Sequence, residues 1–292
     1  MSGTRSATGW VEAQSLHINF IGVECHRVDR IGGRGLKAII LCAGQGRRLF
    51  PLTERIPKCL LNIAGRPILE WQLRSLASAN VKDVTLVTGF EADAVELAAQ
   101  SISPANIRVR TVFNPFFAVS ENIGSCFLVR NLLQASDTIL LNGDTLFEPA
   151  VLQTLLAAPE APITVTIDRK PAYDADDMKV SVEGTRLRAI GKTLSPSHTN
   201  GESIGMLLFR GEGGAMFAEG IEAALRQPDG LRRWYLSVIH ALAQTHVVQV
   251  ASIEGKGWGE VDYPDDLVRA EALVRSWEAA APASAAEPAW GG

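Results

Sequence analysis

Four residues could do chemistry together near the start of the patterned part of this chain: Gly44, Gly46, Arg48 and Lys58. They follow an apolar run in the stretch KAIILCAGQGRRLFPLTERIPKCLLNIAGRPILEWQL. Glycines let backbone N–H groups approach an anion with no Cβ in the way. A guanidinium and an ammonium nearby add fixed positive charge. Such a set can hold a polyphosphate and stabilise charge that builds on a departing phosphate. A plain surface loop with solvated arginines is the competing explanation, and Gly-x-Gly alone does not exclude it. Two better-known phosphate loops do fail on residue type. The dinucleotide fingerprint needs a third glycine where Leu49 stands, and no Walker Gly-Lys-Ser/Thr follows.

The elements that must position these residues alternate in type. Residues 38–42 are a short apolar run, as expected of a strand buried on both faces. Pro67 opens a helix with Leu69, Leu73 and Leu76 on one face. Strands are expected at 84–88, 107–113, 138–141 and 163–167, with helices at 91–100, 122–134 and 149–157 between them. This alternation implies right-handed crossovers and a mixed, mostly parallel sheet covered by helices. Ligands of such sheets bind outside the carboxyl ends of the strands, which is where Gly44 and Asp144 both fall. After Lys170 a hairpin is expected at 178–190 around Glu183-Gly184, then a strand at 204–209. A helix at 231–242, a strand at 247–253 and a closing helix from Pro264 complete the series.

Composition bounds the rest. The chain has 292 residues, 47% hydrophobic and 21% charged, enough for one large core. A net charge of −4 with interspersed signs argues against a nucleic-acid partner. Cys25, Cys42, Cys59 and Cys126 show no metal-ligand spacing and read as reduced thiols, so a cytoplasmic location is expected. No apolar stretch approaches a membrane span, so no membrane partner is expected. Residues 1–36 read as an N-terminal extension of unassigned role, 37–278 as the main folded domain, with a change of rhythm to antiparallel strands at about 170–255, and 279–292 as a flexible Ala/Pro-rich tail. A homo-oligomer is compatible with all of this.

The combined spacing resembles the signature of the nucleotidyltransferases that activate sugar phosphates and small phospho-alcohols. Their pattern is G-x-G-x-R-[LM]-x-P, then P-K, then G-x-P, matched here by Gly44 to Pro51, Pro57-Lys58 and Gly65-Arg66-Pro67. The resemblance implies a Rossmann-like α/β fold with a small antiparallel acceptor lobe. It implies that Arg48 and Lys58 are catalytic and hold the triphosphate. Leu41, Ala43, Gly44 and Gly46, with Asn122 and Ser125, would meet the nucleotide. Asp144, at the end of LLNGD, resembles the family's metal-binding aspartate, with Mg2+ as the implied cofactor. WGEVDYPDDL offers Asp262 or Glu260 as the second carboxylate.

Within the family, FNPFFAVSENIGSCFLV is similar to phosphocholine cytidylyltransferases through Phe113, Asn114, Asn122 and Ser125, although Glu121 stands where relatives carry Asn. The implied partners are CTP and a small phosphorylated or phosphonate acceptor. Lys179, Lys192 and Glu202 fall where related enzymes hold it. A choline head would need an aromatic cage, for which Trp234, Tyr235 and Trp258 are the candidates. A primary amine would need acceptors for its N–H groups, and Asp174, Asp176, Asp177 and Glu202 favour that reading. The rivals are a sugar-1-phosphate nucleotidyltransferase using UTP, dTTP or GTP, and a non-catalytic relative. Arg48, Lys58 and Asp144 being all present speaks against the latter.

Overall fold

The apolar run forms strand β1, Lys37–Cys42, in which successive residues face opposite sides. Ile39 packs into one hydrophobic cluster while Ala38, Ile40 and Cys42 pack into another, so β1 is covered on both faces. The computed structural model describes residues 35–280. Nearly all of the expected N-terminal extension, Cys25 and the end of the tail lie outside the described residues.

Two short strands, β2 (Asn62–Ile63) and β3 (Arg66–Pro67), lead into α1, Ile68–Ser78. Pro67 stands just before the helix rather than inside its first turn. Strand β4 (Asp83–Thr88), helix α2 (Ala92–Ile102) and strand β5 (Arg108–Phe113) follow. The single helix expected over 122–134 is two: α3, Asn122–Leu128, and α4, Arg130–Ala135. Val129 leaves helical geometry between them, and the Arg130 guanidinium caps the Phe127 carbonyl at 2.9 Å. Strand β6 (Thr138–Asn142) and the short β7 (Thr145–Phe147) flank Gly143-Asp144, and α5 spans Pro149–Leu156.

The second half begins with β8, Ile163–Asp168. The expected hairpin is β9, Lys179–Glu183, with β10, Arg186–Ile190. Then come β11 (Gly201–Phe209), buried throughout, and α6 (Gly213–Leu225). The helix expected from 231 begins only at Leu236: α7 spans Leu236–Thr245, behind a 3-10 turn at Gly230–Arg232. Arg233 is extended there, and the Tyr235 N–H is spent on Asn122 Oδ1 at 2.9 Å, outside any helix ladder. β12 (Val248–Ser252), β13 (Trp258–Glu260) and α8 (Pro264–Ala280) close the chain.

Nine strands form one sheet in the order β5-β4-β1-β6-β11-β8-β12-β10-β9, with β11 also reaching β9. The pairs β5/β4, β4/β1, β1/β6 and β8/β12 are parallel, whereas β11 runs antiparallel to both its neighbours β6 and β8. The antiparallel strands expected of an acceptor lobe therefore continue the main sheet instead of forming a sheet of their own. Side chains of α1, α2 and α5 fill one face, and those of α3, α4, α6 and α7 the other. A third, smaller cluster joins Leu49, Ile63, Ile68 and Leu146 to Val261 and Val274. It fastens the loop after β1 to α8.

β1 is the strand at which the connections switch sides, because the chain passes first to β4 and later to β6. The crevice between β1 and β6 is kept tight by Gly143, whose N–H donates to the Leu41 carbonyl at 3.1 Å. A Cβ there would come within 2.5 Å of that carbonyl oxygen.

Candidate active site

A cavity of about 550 Å³ opens at the carboxyl ends of β1 and β6. Leu41, Ala43, Gly44 and Gly46 form its floor, with Arg48 and Lys58 to one side. Asn122 and Ser125 from the start of α3 line the opposite wall, and Asp144 and Asp262 complete the rim. Residues drawn from widely separated positions thus meet in one place.

Local structure explains why each points where it does. Gly46 adopts φ +70°, a conformation that L side chains rarely take, and its carbonyl accepts the Thr53 hydroxyl at 2.7 Å. The 3-10 turn at Arg47–Leu49 buries Leu49 completely, which turns its neighbour Arg48 outward to the rim. Losing that anchor by Leu49→Ala would cost about 2–5 kcal/mol. On the far wall, Asn114 donates from Nδ2 to Ser125 Oγ at 3.0 Å and receives the Phe116 N–H on Oδ1 at 2.9 Å. Beneath the rim, Gln72 donates to the carbonyls of Asn142 and Thr145, at 2.7 and 2.9 Å, and so fixes the β6–β7 turn that carries Asp144.

The electrostatic centre is Lys58. Its ammonium donates to Asp144 Oδ2 at 2.6 Å and to Asp262 Oδ1 at 2.5 Å. Burial alone would lower its pKa, but the two carboxylates outweigh that and hold it above the ordinary value. Asp262 also takes Arg48 at 2.8 Å. Glu260, on β13, has its carboxyl pushed up to about 8 by burial and by the negative charges of Asp144 and Asp262.

Arg48 is shared with a second set. Its guanidinium reaches Asp176 at 3.4 Å and the Tyr263 hydroxyl at 3.2 Å. Tyr263 in turn donates to Asp176 at 2.6 Å, and Lys192 comes within 3.5 Å of the same carboxylate. The Lys192 ammonium lies 4.8 Å from the centre of the Trp234 ring, a cation–π contact. Sequence reasoning passed over Tyr263 and Gln72, and considered Asp176 only as an amine ligand. Tyr263 sits inside WGEVDYPDDL, beside Asp262, which was the one signal available.

All but one of the remaining candidates lie apart from the cavity. Glu202 is 4% exposed and pairs with Lys170 at 3.0 Å, in an adjoining hollow that it shares with Asp174, Asp177 and Glu260. Asp262 separates that hollow from the cavity. Lys179 is buried, and its ammonium is bound to the carbonyls of Asp174 and Lys192. Of the three aromatics, Tyr235 is buried with its hydroxyl on Asn142, and Trp258 donates to Asp168. Trp234 alone of the three lines the cavity.

For a divalent cation the available donors are hard oxygens. Asp144 Oδ1 is buried with no hydrogen-bond partner, a lone acceptor beside the positive charge of Lys58. Asp262 stands across from it. Among the described residues no group of three or more His, Cys, Asp or Glu side chains is gathered. The protein's share would thus be a carboxylate pair, which suits an ion that keeps water and phosphate in its other positions.

Residues 38–235 match the MobA-like NTP transferase domain. A CMP-5'-(3-aminopropyl)phosphonate synthase of Streptomyces rubellomurinus is 35% identical over 250 residues, covering 81% of this chain and 38% of that protein. A choline-phosphate cytidylyltransferase of Streptococcus pneumoniae is 34% identical over 104 residues, 36% of this chain and 43% of that one. The chain thus spans less than half the length of these two relatives. Among solved structures, the inositol-1-phosphate CTP transferase from T. maritima superposes with a TM-score of 0.71 at 22% identity. That match covers 86% of this chain and all of the other, so the α/β Rossmann-like fold is shared.

Proposed function

Because the chain belongs to the MobA-like NTP transferase family, we propose that it is a Mg2+-dependent cytidylyltransferase acting on a small phosphonate or phosphate that carries an amine. The observation that carries this reading is the Lys58 ammonium, buried between Asp144 and Asp262 at the mouth of a glycine loop. An acceptor oxygen attacks the α-phosphorus of CTP, the bond from that phosphorus to the bridging oxygen breaks, and pyrophosphate leaves. The attacking oxygen is already anionic, so no general base is needed. Two anions must instead be brought together, and the charge on the leaving pyrophosphate must be stabilised. Lys58 and Arg48 are positioned for the second task, and the backbone of Gly44 and Gly46 for holding the nucleotide. Asp144 and Asp262 would hold Mg2+, which when bound supplies positive charge to the phosphate oxygens.

CTP is favoured because one relative is a CMP-5'-(3-aminopropyl)phosphonate synthase and another a choline-phosphate cytidylyltransferase. An amine-bearing acceptor is favoured over choline because the expected aromatics form no cage, and Trp234 already carries Lys192. A coupled pyrophosphate-release assay with four NTPs and a panel of acceptors tests the reading. CTP with 2-aminoethylphosphonate or a close homologue is expected to turn over fastest. Preference for phosphocholine would overturn the amine assignment. Turnover of hexose 1-phosphates alone, with UTP, dTTP or GTP, would overturn the subfamily.

A further inference from the structure

Glu121 is the one described carboxylate lining the cavity that no cation or hydrogen-bond donor engages. The other two, Asp144 and Asp262, are both committed to Lys58. Glu121 is exposed where it lines the cavity, so its carboxylate is open to a partner from the substrate.

Its position says which part of the substrate. The Glu121 N–H donates to the Leu231 carbonyl at 2.7 Å, which fixes this residue against the segment leading into α7. Trp234 of that segment lines the same cavity with Lys192 over its ring. On its other side Glu121 adjoins Asn122, which is tied to the Tyr235 N–H. Glu121 therefore stands between Asn122, on the nucleotide wall, and Trp234, whose ring carries the Lys192 ammonium.

Three of the four acids first considered for an amine are otherwise engaged. Asp176 is shared by Arg48, Tyr263 and Lys192, while Asp177 and Glu202 are both on Lys170. Asp174 lines the adjoining hollow.

We propose that Glu121 receives the ammonium group of the acceptor and sets the selection for primary amines. This rests on the cytidylyltransferase reading above. A primary ammonium can donate hydrogen bonds to the carboxylate as well as meet its charge, whereas an uncharged alkyl end would leave Glu121 facing nothing.

The test uses the full chain, with Glu121→Gln and Glu121→Asp compared with wild type on CTP, UTP, 2-aminoethylphosphonate and ethylphosphonate. Glu121→Gln keeps shape and exposure, so folding is preserved. Its KM for 2-aminoethylphosphonate is expected to rise roughly tenfold or more, the loss of one charge-assisted bond. KM for CTP, and turnover of ethylphosphonate, are expected to stay unchanged, and Glu121→Asp to recover part of the amine preference. Equal losses on both phosphonates, or an intact amine preference, overturn the proposal. A change confined to CTP, or to its preference over UTP, also overturns it and makes Glu121 a base contact. If the wild type accepts only hexose 1-phosphates, it is the functional reading that has failed. That result is seen before any variant is made.

Discussion

Two neighbouring regions of the site are built differently. On the wall after β1, Leu49 is fully buried, Thr53 holds Gly46, and the Lys58 side chain is only 12% exposed between its two carboxylates. Beside it, Arg48, Asp176 and Lys192 form a more exposed set, with Arg48 and Lys192 at 3.4 and 3.5 Å from Asp176 and with Arg48 and Asp176 about half exposed. Exposed pairs of that kind are worth about 0–1 kcal/mol each, so this set can part without disturbing the core. The first region has the rigidity that group transfer demands. The second is the more easily opened of the two.

The largest effect is expected from Asp144→Asn, which keeps shape but removes a hard anionic ligand and one partner of Lys58. Turnover should fall by about a hundredfold or more with the fold intact. Retention of over a tenth of the wild-type rate at saturating Mg2+ would remove the metal from this wall. Lys58→Met should lower kcat by about 10²–10³ with a smaller change in KM for CTP, if the ammonium acts on charge formed in the transition state. An effect on KM alone would make Lys58 a ground-state contact. Asp176→Ala, in the more exposed set, should change kcat/KM by no more than about fivefold. A loss comparable to that of Asp144→Asn would erase the distinction between the two regions.

The smallest effect concerns pH and stability. Burial pushes the Glu202 carboxyl up to about 7, against the pull of Lys170. The folded chain then keeps a proton that the unfolded chain releases near the ordinary value of 4.5. Stability present below that value is lost as pH rises through about 7, at up to about 1.4 kcal/mol per pH unit. Thermal melts of wild type and Glu202→Gln across that window should show the slope in the former and its flattening in the latter.

How much of this was legible beforehand depended on sequence distance. Gly44, Gly46, Arg48 and Lys58 lie within one short span and share one strand end, so their spacing alone carried the phosphate-binding reading. The strand–helix alternation gave the parallel half of the sheet for the same reason. Asp144 and Asp262 lie 86 and 204 residues from the lysine they engage, and only the family resemblance connected them to it. The contacts of Arg48 with Asp176 and Tyr263 span 128 and 215 residues and left no trace in local pattern. The late start of α7 was hidden likewise, because the Asn122 side chain that takes up the Tyr235 N–H comes from a distant helix.

The central claim is that the bond cut is the one at the α-phosphorus of CTP, under Lys58 and Arg48. Parallel reactions with CTP labelled at the α- or the γ-phosphate, each with an aminoalkylphosphonate acceptor, test it most directly. Label from the α position should appear in the acceptor-linked product, and label from the γ position in pyrophosphate. Label from the γ position in the acceptor would mean phosphoryl transfer, and would contradict the account.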